Sequence, residues 1–396
     1  MAEYSRKSIF DGSTRCGILK SMGDKEGFQI GEYFAEVELT EEYEPYFCSV
    51  GDAITIVIVG TFCGFRNLKQ IHEWASHKKI SALLHRKFAV GYVPSYYWLT
   101  RLLKILEPKS MSACFTKWVV TLLPENKEGY TVSFDGKTVC ATANMERYEN
   151  PLHIVSAQIS ELGLTLGQEA VDGKSNEIPA VQRLIKMLRL KGCIVVADAL
   201  NCQKDTAAAI LGQGADYLLS VKDNQPSLKQ DIEDYIQDDC LRKAMQTSAV
   251  CEKNRDRVEK RTAFVTDDVS WLDPKESWAE LRCIGAINTQ FTTKTGTSSE
   301  WHYYISSKTL TAEDLLKHAR AEWSVETMHW LLDVHFSEDS CRVQDENVQQ
   351  VLNMIRKIVL NSLRVYRDKL CPKRSFSSLM LDCLVDPLFI LKLILP

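Results

Sequence analysis

Residues 193–200 read CIVVADAL, a short continuous apolar run closed by an aspartate. A run of this length reads as a strand buried on both faces, the state of a strand in a sheet covered by helices. Immediately upstream, NEIPAVQRLIKMLRL (176–190) reads as an amphipathic helix, with Ile178, Val181, Ile185 and Leu188 on one side. Downstream, DTAAAILGQG (205–214) is a helix closed by glycine, and YLLSVK (217–222) is another buried strand. Further upstream, YTVSFDGKTV (130–139) alternates and is β-rich, and HIVSAQIS (153–160) and LTLGQEAV (164–171) follow as two more strands. Three strands of antiparallel character, a helix, a buried strand, a helix and a strand give an α/β domain with a mixed central sheet.

Beyond this centre the texture changes in both directions. Residues 1–45 read as a polar, loosely structured arm. Residues 46–127 are helical: Leu68, Ile71, His72 and Ala75 have helix spacing, and Leu99, Leu102, Leu103 and Leu106 form a second apolar stripe. This all-α module carries Lys78, Lys79, His85, Arg86, Lys87, Arg101 and Lys104, a polar face open to solvent or to DNA. Residues about 227–312 read as a β-rich insertion opened by the helix SLKQDIEDYIQ (227–237). The segment AEDLLKHARAEWSVETMHWLLDVHF (312–336) is expected to be one helix, followed by a long helix at Glu346–Tyr366. The expected organisation is thus an arm, a helical module and a catalytic domain over 128–396.

The chain has 396 residues, 45% hydrophobic and 25% charged, which is ordinary globular composition. Its net charge of -4 does not favour a nucleic-acid partner, although phosphate binding needs only a local basic surface. Thirteen cysteines without a Cys-x-x-Cys pair read as reduced thiols. No segment has the length and apolarity of a signal peptide or membrane span. A cytoplasmic protein is expected.

Two aspartates stand where chemistry needs them. Asp135 and Asp198 each end an apolar strand, and α/β sheets keep reactive groups at the carboxyl ends of their strands. Each has a plainer reading: Asp-Gly is a common turn, and Asp198 can cap the helix after it. A two-metal phosphoryl-transfer site needs a third carboxylate. Glu326 is the best candidate, because Glu322, Glu326, His329 and Asp333 share a helix face beside the apolar stripe of Val325, Met328 and Leu332. A solvated or ion-paired face is the competing reading. Trp323 and Trp330 read as core anchors rather than base-stacking groups.

These motifs together resemble the DDE transposases of the ISAs group of bacterial insertion sequences, the family that includes the H-repeat-associated proteins. The resemblance runs from about residue 50 to the C-terminus. It rests on VPSYYWLTRLLKIL (93–106), DGKTV (135–139), KSNEIPAVQRLI (174–185), VVADALNCQKD (195–205), DYLLSVKDNQ (216–225), YYISS (303–307), WSVETMHWLLDVHFSEDSCRV (323–343) and RKIVLNSL (356–363). In places the chain departs from that pattern. Glu322 stands where the family has histidine, Thr327 where it has asparagine, and Arg255–Asp256 where it has His-Gly. Asp223 replaces a glycine, and Tyr96, Tyr97 and Trp98 replace His-Asp-Thr.

The resemblance implies an RNase H-like catalytic domain with Asp135, Asp198 and Glu326 as a triad holding two Mg²⁺ or Mn²⁺ ions. It implies cleavage at the element's inverted-repeat ends and strand transfer into target DNA, by a homo-oligomer acting on double-stranded DNA. Lys137, Lys222, Gln225, Arg320, Arg342 and Arg101 are candidate phosphate contacts, each equally readable as an ordinary solvated side chain. The alternative reading is an inactive or domesticated relative that binds DNA without cutting it.

Overall fold

A computed structural model describes residues 30–43, 48–139, 151–171, 176–254, 257–272, 278–293 and 296–394. The Arg255–Asp256 departure and residues 1–29, 44 and 45 of the N-terminal arm lie outside the described residues; the described part of the arm holds a short helix with Ile30 and Phe34 buried. Six helices come first: α1 (Ile30–Phe34), α2 (Val50–Phe62), α3 (Leu68–Ser76), α4 (Lys78–Phe88), α5 (Tyr96–Ile105) and α6 (Pro108–Val120). Then follow β1 (Thr131–Thr138), β2 (His153–Ile159), β3 (Leu164–Ala170), α7 (Glu177–Met187), β4 (Ile194–Ala197), α8 (Lys204–Gly212) and β5 (Asp216–Val221). Next are α9 (Pro226–Gln237), α10 (Asp239–Ala244), β6 (Gln246–Asn254), β7 (Arg257–Thr266), β8 (Cys283–Thr293) and β9 (Gly296–Ser306). The chain closes with α11 (Ala312–Ala321), α12 (Trp323–Phe336), α13 (Glu346–Leu370), α14 (Phe376–Val385) and α15 (Ile390–Ile394).

Among the described residues, nine strands form one mixed sheet in the order β3-β2-β1-β4-β5-β9-β8-β7-β6. β1, β4 and β5 are parallel neighbours, while β2 and β3 fold back antiparallel at one side. The mixed α/β architecture agrees with the expectation. The β-rich segment joins the same sheet: β9 pairs antiparallel with β5, and β8, β7 and β6 continue outward from it. The sheet therefore runs unbroken from its central strands into the inserted ones.

The helices pack where their apolar faces dictate. α2 is buried from Ala53 to Phe62 and starts in a capping box, with Ser49 and Asp52 each accepting the other's backbone N–H. It lies against the 25-residue α13, whose residues from Val351 to Leu363 are all buried. α6 is tied to β3 by two hydroxyls: Ser112 Oγ donates to Gln168 O at 2.7 Å and Thr116 Oγ1 to Leu166 O at 3.3 Å. Buried side chains of α2–α6, α13 and β1–β5 consequently form one continuous apolar core. Among the described residues, no helix is long and apolar enough to cross a membrane.

The expected single helix over 312–336 is two helices, α11 and α12, broken at Glu322. The cause is non-local. The carbonyl of Ala321 accepts hydroxyl hydrogen bonds from Ser133 (2.8 Å) and Ser160 (3.3 Å), which hold the chain against the sheet at the break.

Candidate active site

The site is built on a seam between β1 and the α11–α12 pair. Alternate residues of a strand point to one face, and the alternate residues of β1 meet successive points along the two helices. Thr131 Oγ1 lies 2.7 Å from His318 Nδ1, and Ser133 Oγ 2.8 Å from Ala321 O. Asp135 Oδ2 lies 3.5 Å from His329 Nε2, and Lys137 Nζ 2.7 Å from Asp333 Oδ2. β1 thus dictates how α12 lies. Glu326 is three residues before His329 and seven before Asp333, so it shares the face that those two residues turn toward Asp135 and Lys137.

Asp198 reaches the same place through sheet register. Phe134 pairs with Ala197 across the parallel β1–β4 ladder, so Asp135 and Asp198 each sit one step beyond that pair and on the same face. β1 continues as strand to Thr138, so Asp135 lies within the strand rather than at its end as expected, and Asp135–Gly136 is not a turn. Asp198 does act as a cap: its Oδ1 accepts from the backbone N–H of Asn201 at 3.2 Å and from Asn201 Nδ2 at 2.9 Å.

Glu322, at the helix break, registers the crowding of negative charge. Burial pushes its carboxyl up to about 7; Asp198, Asp135 and Glu326 add to the rise and Lys222 opposes it. The three expected carboxylates therefore act together on a fourth.

A polar chain that the sequence reading did not single out supports Asp198. Thr138 Oγ1 contacts His153 Nδ1 at 2.9 Å, His153 Nε2 contacts Glu177 Oε2 at 3.1 Å, and Glu177 Oε1 accepts from Asn201 Nδ2 at 3.2 Å. Gly136 leaves room for it: a Cβ there would overlap Glu177 Oε2 and His153 Nε2, so both side chains would have to shift. Glu177 in the first turn of α7 was the available signal. Asn224 Nδ2 and Gln225 Nε2 donate to the carbonyls of Ala199 (2.6 Å) and Cys202 (3.0 Å), pinning the turn after Asp198.

The other sequence-chosen residues are placed differently. Lys137 is held by Asp333, Glu338 and Asp339 at 2.7, 3.0 and 3.2 Å. Burial lowers its affinity for the proton, but the surrounding carboxylates outweigh this and raise its pKa. These three acids are close enough together to share a cation, and the Lys137 ammonium is already that cation. Arg320 Nη1 pairs with Glu252 at 2.5 Å, and Arg101, on α5, pairs with Glu41 at 3.6 Å. Lys222 and Arg342 are exposed. Trp323 and Trp330 are not core anchors: both are exposed, because Val325, Met328, Leu331 and Leu332 fill the buried side of α12.

Comparison with known proteins gives consistent matches. The family model described as "Transposase DDE domain" matches residues 111–362, and the one described as "DDE_Tnp_1-associated" matches residues 49–119. Putative protein YbfL of Escherichia coli K12 is 34% identical over 278 residues, 68% of this chain and 73% of the relative. The H repeat-associated putative transposase YhhI of the same strain is 30% identical over 321 residues, 79% and 84% of the two chains. Putative transposase YncI of Escherichia coli O157:H7 is 28% identical over 325 residues, 81% and 83% of the two.

Proposed function

Because the chain belongs to the DDE transposase family, we propose that Asp135, Asp198 and Glu326 are its catalytic, metal-binding triad and that it cuts and joins DNA at the ends of its own mobile element. The observation that carries this reading is the β1 seam, in which the contacts of Asp135 and Lys137 turn the Glu326 face of α12 toward Asp135, within β1, and Asp198, just past the end of β4. We assign the central sheet with its flanking helices to the RNase H-like class on the same grounds.

The donor set fits divalent metal. Burial pushes the Glu322 carboxyl up, and Asp198, Asp135 and Glu326 lie near enough to add to the rise against Lys222. Neither ring nitrogen of His329 has a hydrogen-bond partner among the described residues, although Nε2 is aimed at Asp135. Hard carboxylate oxygens suit Mg²⁺ or Mn²⁺, and a nearby imidazole is better tolerated by Mn²⁺. Asp135 and Asp198 would hold one ion between them, and Glu326 would complete a second site. When bound, such ions neutralise charge at the scissile phosphate and make water or a 3′-hydroxyl a competent nucleophile.

The chain's own residues provide position. Asn201, braced by Glu177, fixes Asp198 Oδ1, and the β1 seam fixes the approach of α12. Water first hydrolyses the phosphodiester at the element end. The freed 3′-hydroxyl then attacks a target phosphodiester in a direct transesterification, with no covalent protein intermediate. Double-stranded DNA is the partner, and holding two ends together calls for a homo-oligomer. Lys222, beside the carboxylates, is the leading phosphate contact among the sequence-chosen residues; Arg342 is a second.

The test is a plasmid assay with the gene's own flanking DNA, Mg²⁺ or Mn²⁺, and wild type beside Asp198→Asn. Cleavage at the flanks and joined products in the wild type, both lost in the variant, are expected. Wild type that binds the DNA but leaves it intact under both metals overturns the proposal.

A further inference from the structure

Two large indoles sit in water beside Glu326. Trp323 is 54% exposed and Trp330 is 59% exposed. They stand at positions −3 and +4 from Glu326 on α12, so they flank it on one side of the helix, about 10 Å apart along the axis. Val334, 45% exposed, continues the stripe. The opposite side of α12 is already filled by Val325, Met328, Leu331 and Leu332, so packing of the helix does not call for either ring. The Arg261 guanidinium lies 5.1 Å from the Trp323 ring centroid and steadies its face.

We infer that Trp323 and Trp330 form a stacking platform for unpaired nucleotides next to the phosphodiester that is cut. This rests on the triad proposed above. Both rings lie about one helical turn from Glu326, on the exposed side of α12 that a strand held at that carboxylate would cross. An indole stacks on a base face irrespective of base identity. Base faces inside a duplex are covered by their neighbours, so the platform accepts a strand only where it is splayed. The face therefore suits a DNA end opened by a few base pairs. It does not suit intact duplex, which offers phosphates and groove edges.

The experiment compares full-length wild type with Trp330→Ala, Trp323→Ala and Trp330→Phe. The probes are the gene's flanking end as fully paired DNA and the same end with its last base pairs mismatched. Each carries 2-aminopurine beside the cut site. Wild type is expected to prefer the forked end and to quench the probe on it. Each alanine variant is expected to lose about ten-fold in affinity for the fork, the loss of one base–aromatic stack. Duplex affinity is expected to stay unchanged, and Trp330→Phe to keep most of the preference.

An alanine variant that keeps the fork preference and the quenching, while wild type cuts the DNA, overturns the platform and leaves the triad standing. Equal loss on fork and duplex overturns it too. So does conversion of an oligomer to monomers on sedimentation, which would make the stripe an interface between copies. Wild type that neither binds nor cuts its flanking DNA removes the triad proposal and the platform with it.

Discussion

Replacing Lys137 by methionine is expected to destabilise the fold strongly and to do so in a pH-dependent way. The Lys137 ammonium sits among Asp333, Glu338 and Asp339, and the Glu338 side chain is only 1% exposed. Glu338 is also hydrogen-bonded by Asn353 Nδ2, so it cannot swing out to water. Removing one partner of a buried ion pair leaves an uncompensated buried charge and costs about 3–5 kcal/mol. The Lys137 pKa is raised in the folded protein, so its contribution is fully present below the ordinary lysine value and is lost only as pH rises through the folded value. Between pH 5 and 8 the wild-type contribution is thus constant. In the variant Asp333, raised by burial and no longer opposed by Lys137, takes up a proton more readily as pH falls, so the deficit shrinks toward acid pH. Urea unfolding at both pH values, followed by tryptophan fluorescence, reads this directly. Unchanged stability, together with weaker DNA binding and a salt dependence shallower by about one phosphate contact, refutes the reasoning and makes Lys137 a DNA ligand.

Two further variants test the same geometry. Gly136→Ala drives a methyl into the Glu177–His153 pair and is expected to cost about 1–3 kcal/mol on denaturation; cleavage should fall with it, because Glu177 braces Asn201 and Asn201 braces Asp198. Glu322 has a folded value of about 7, raised above its ordinary one, chiefly by burial. Its stabilisation is full below the unfolded value and lost as pH rises through the folded one, so Glu322→Gln should raise stability at pH 8, by at most about 3 kcal/mol, and not at pH 4. Thermal melts in chelator show this gain, and added Mg²⁺ should narrow it.

How much of this was legible in the sequence depends on how local each feature is. Asp135 and Asp198 could be found because each closes an apolar run, and the run itself names the strand. The row Glu322, Glu326, His329 and Asp333 could be found because helix spacing places it on one face. The pairing of β9 with β5 has no local signal, so the strands of the insertion could be read as strands but not as extensions of the central sheet. β6 escaped notice because its residues are mostly exposed at the sheet edge and show no alternation. The break at Glu322 depends on hydroxyls of Ser133 and Ser160, more than 150 positions away in the chain. Trp323 and Trp330 read as core because indoles usually are; only the packing of Val325, Met328 and Leu332 beneath α12 shows that the buried face has no room for them.

The most direct measurement is Mn²⁺ binding to the full chain by electron paramagnetic resonance. Wild type would be compared with Asp135→Asn, Asp198→Asn and Glu326→Gln, and with Asp339→Asn from the acidic group around Lys137. The account predicts tight Mn²⁺ in wild type and Asp339→Asn, and loss or weakening in each of the other three. Binding that survives all three triad changes but disappears with Asp339→Asn would place the metal at the Lys137 cluster and contradict the account.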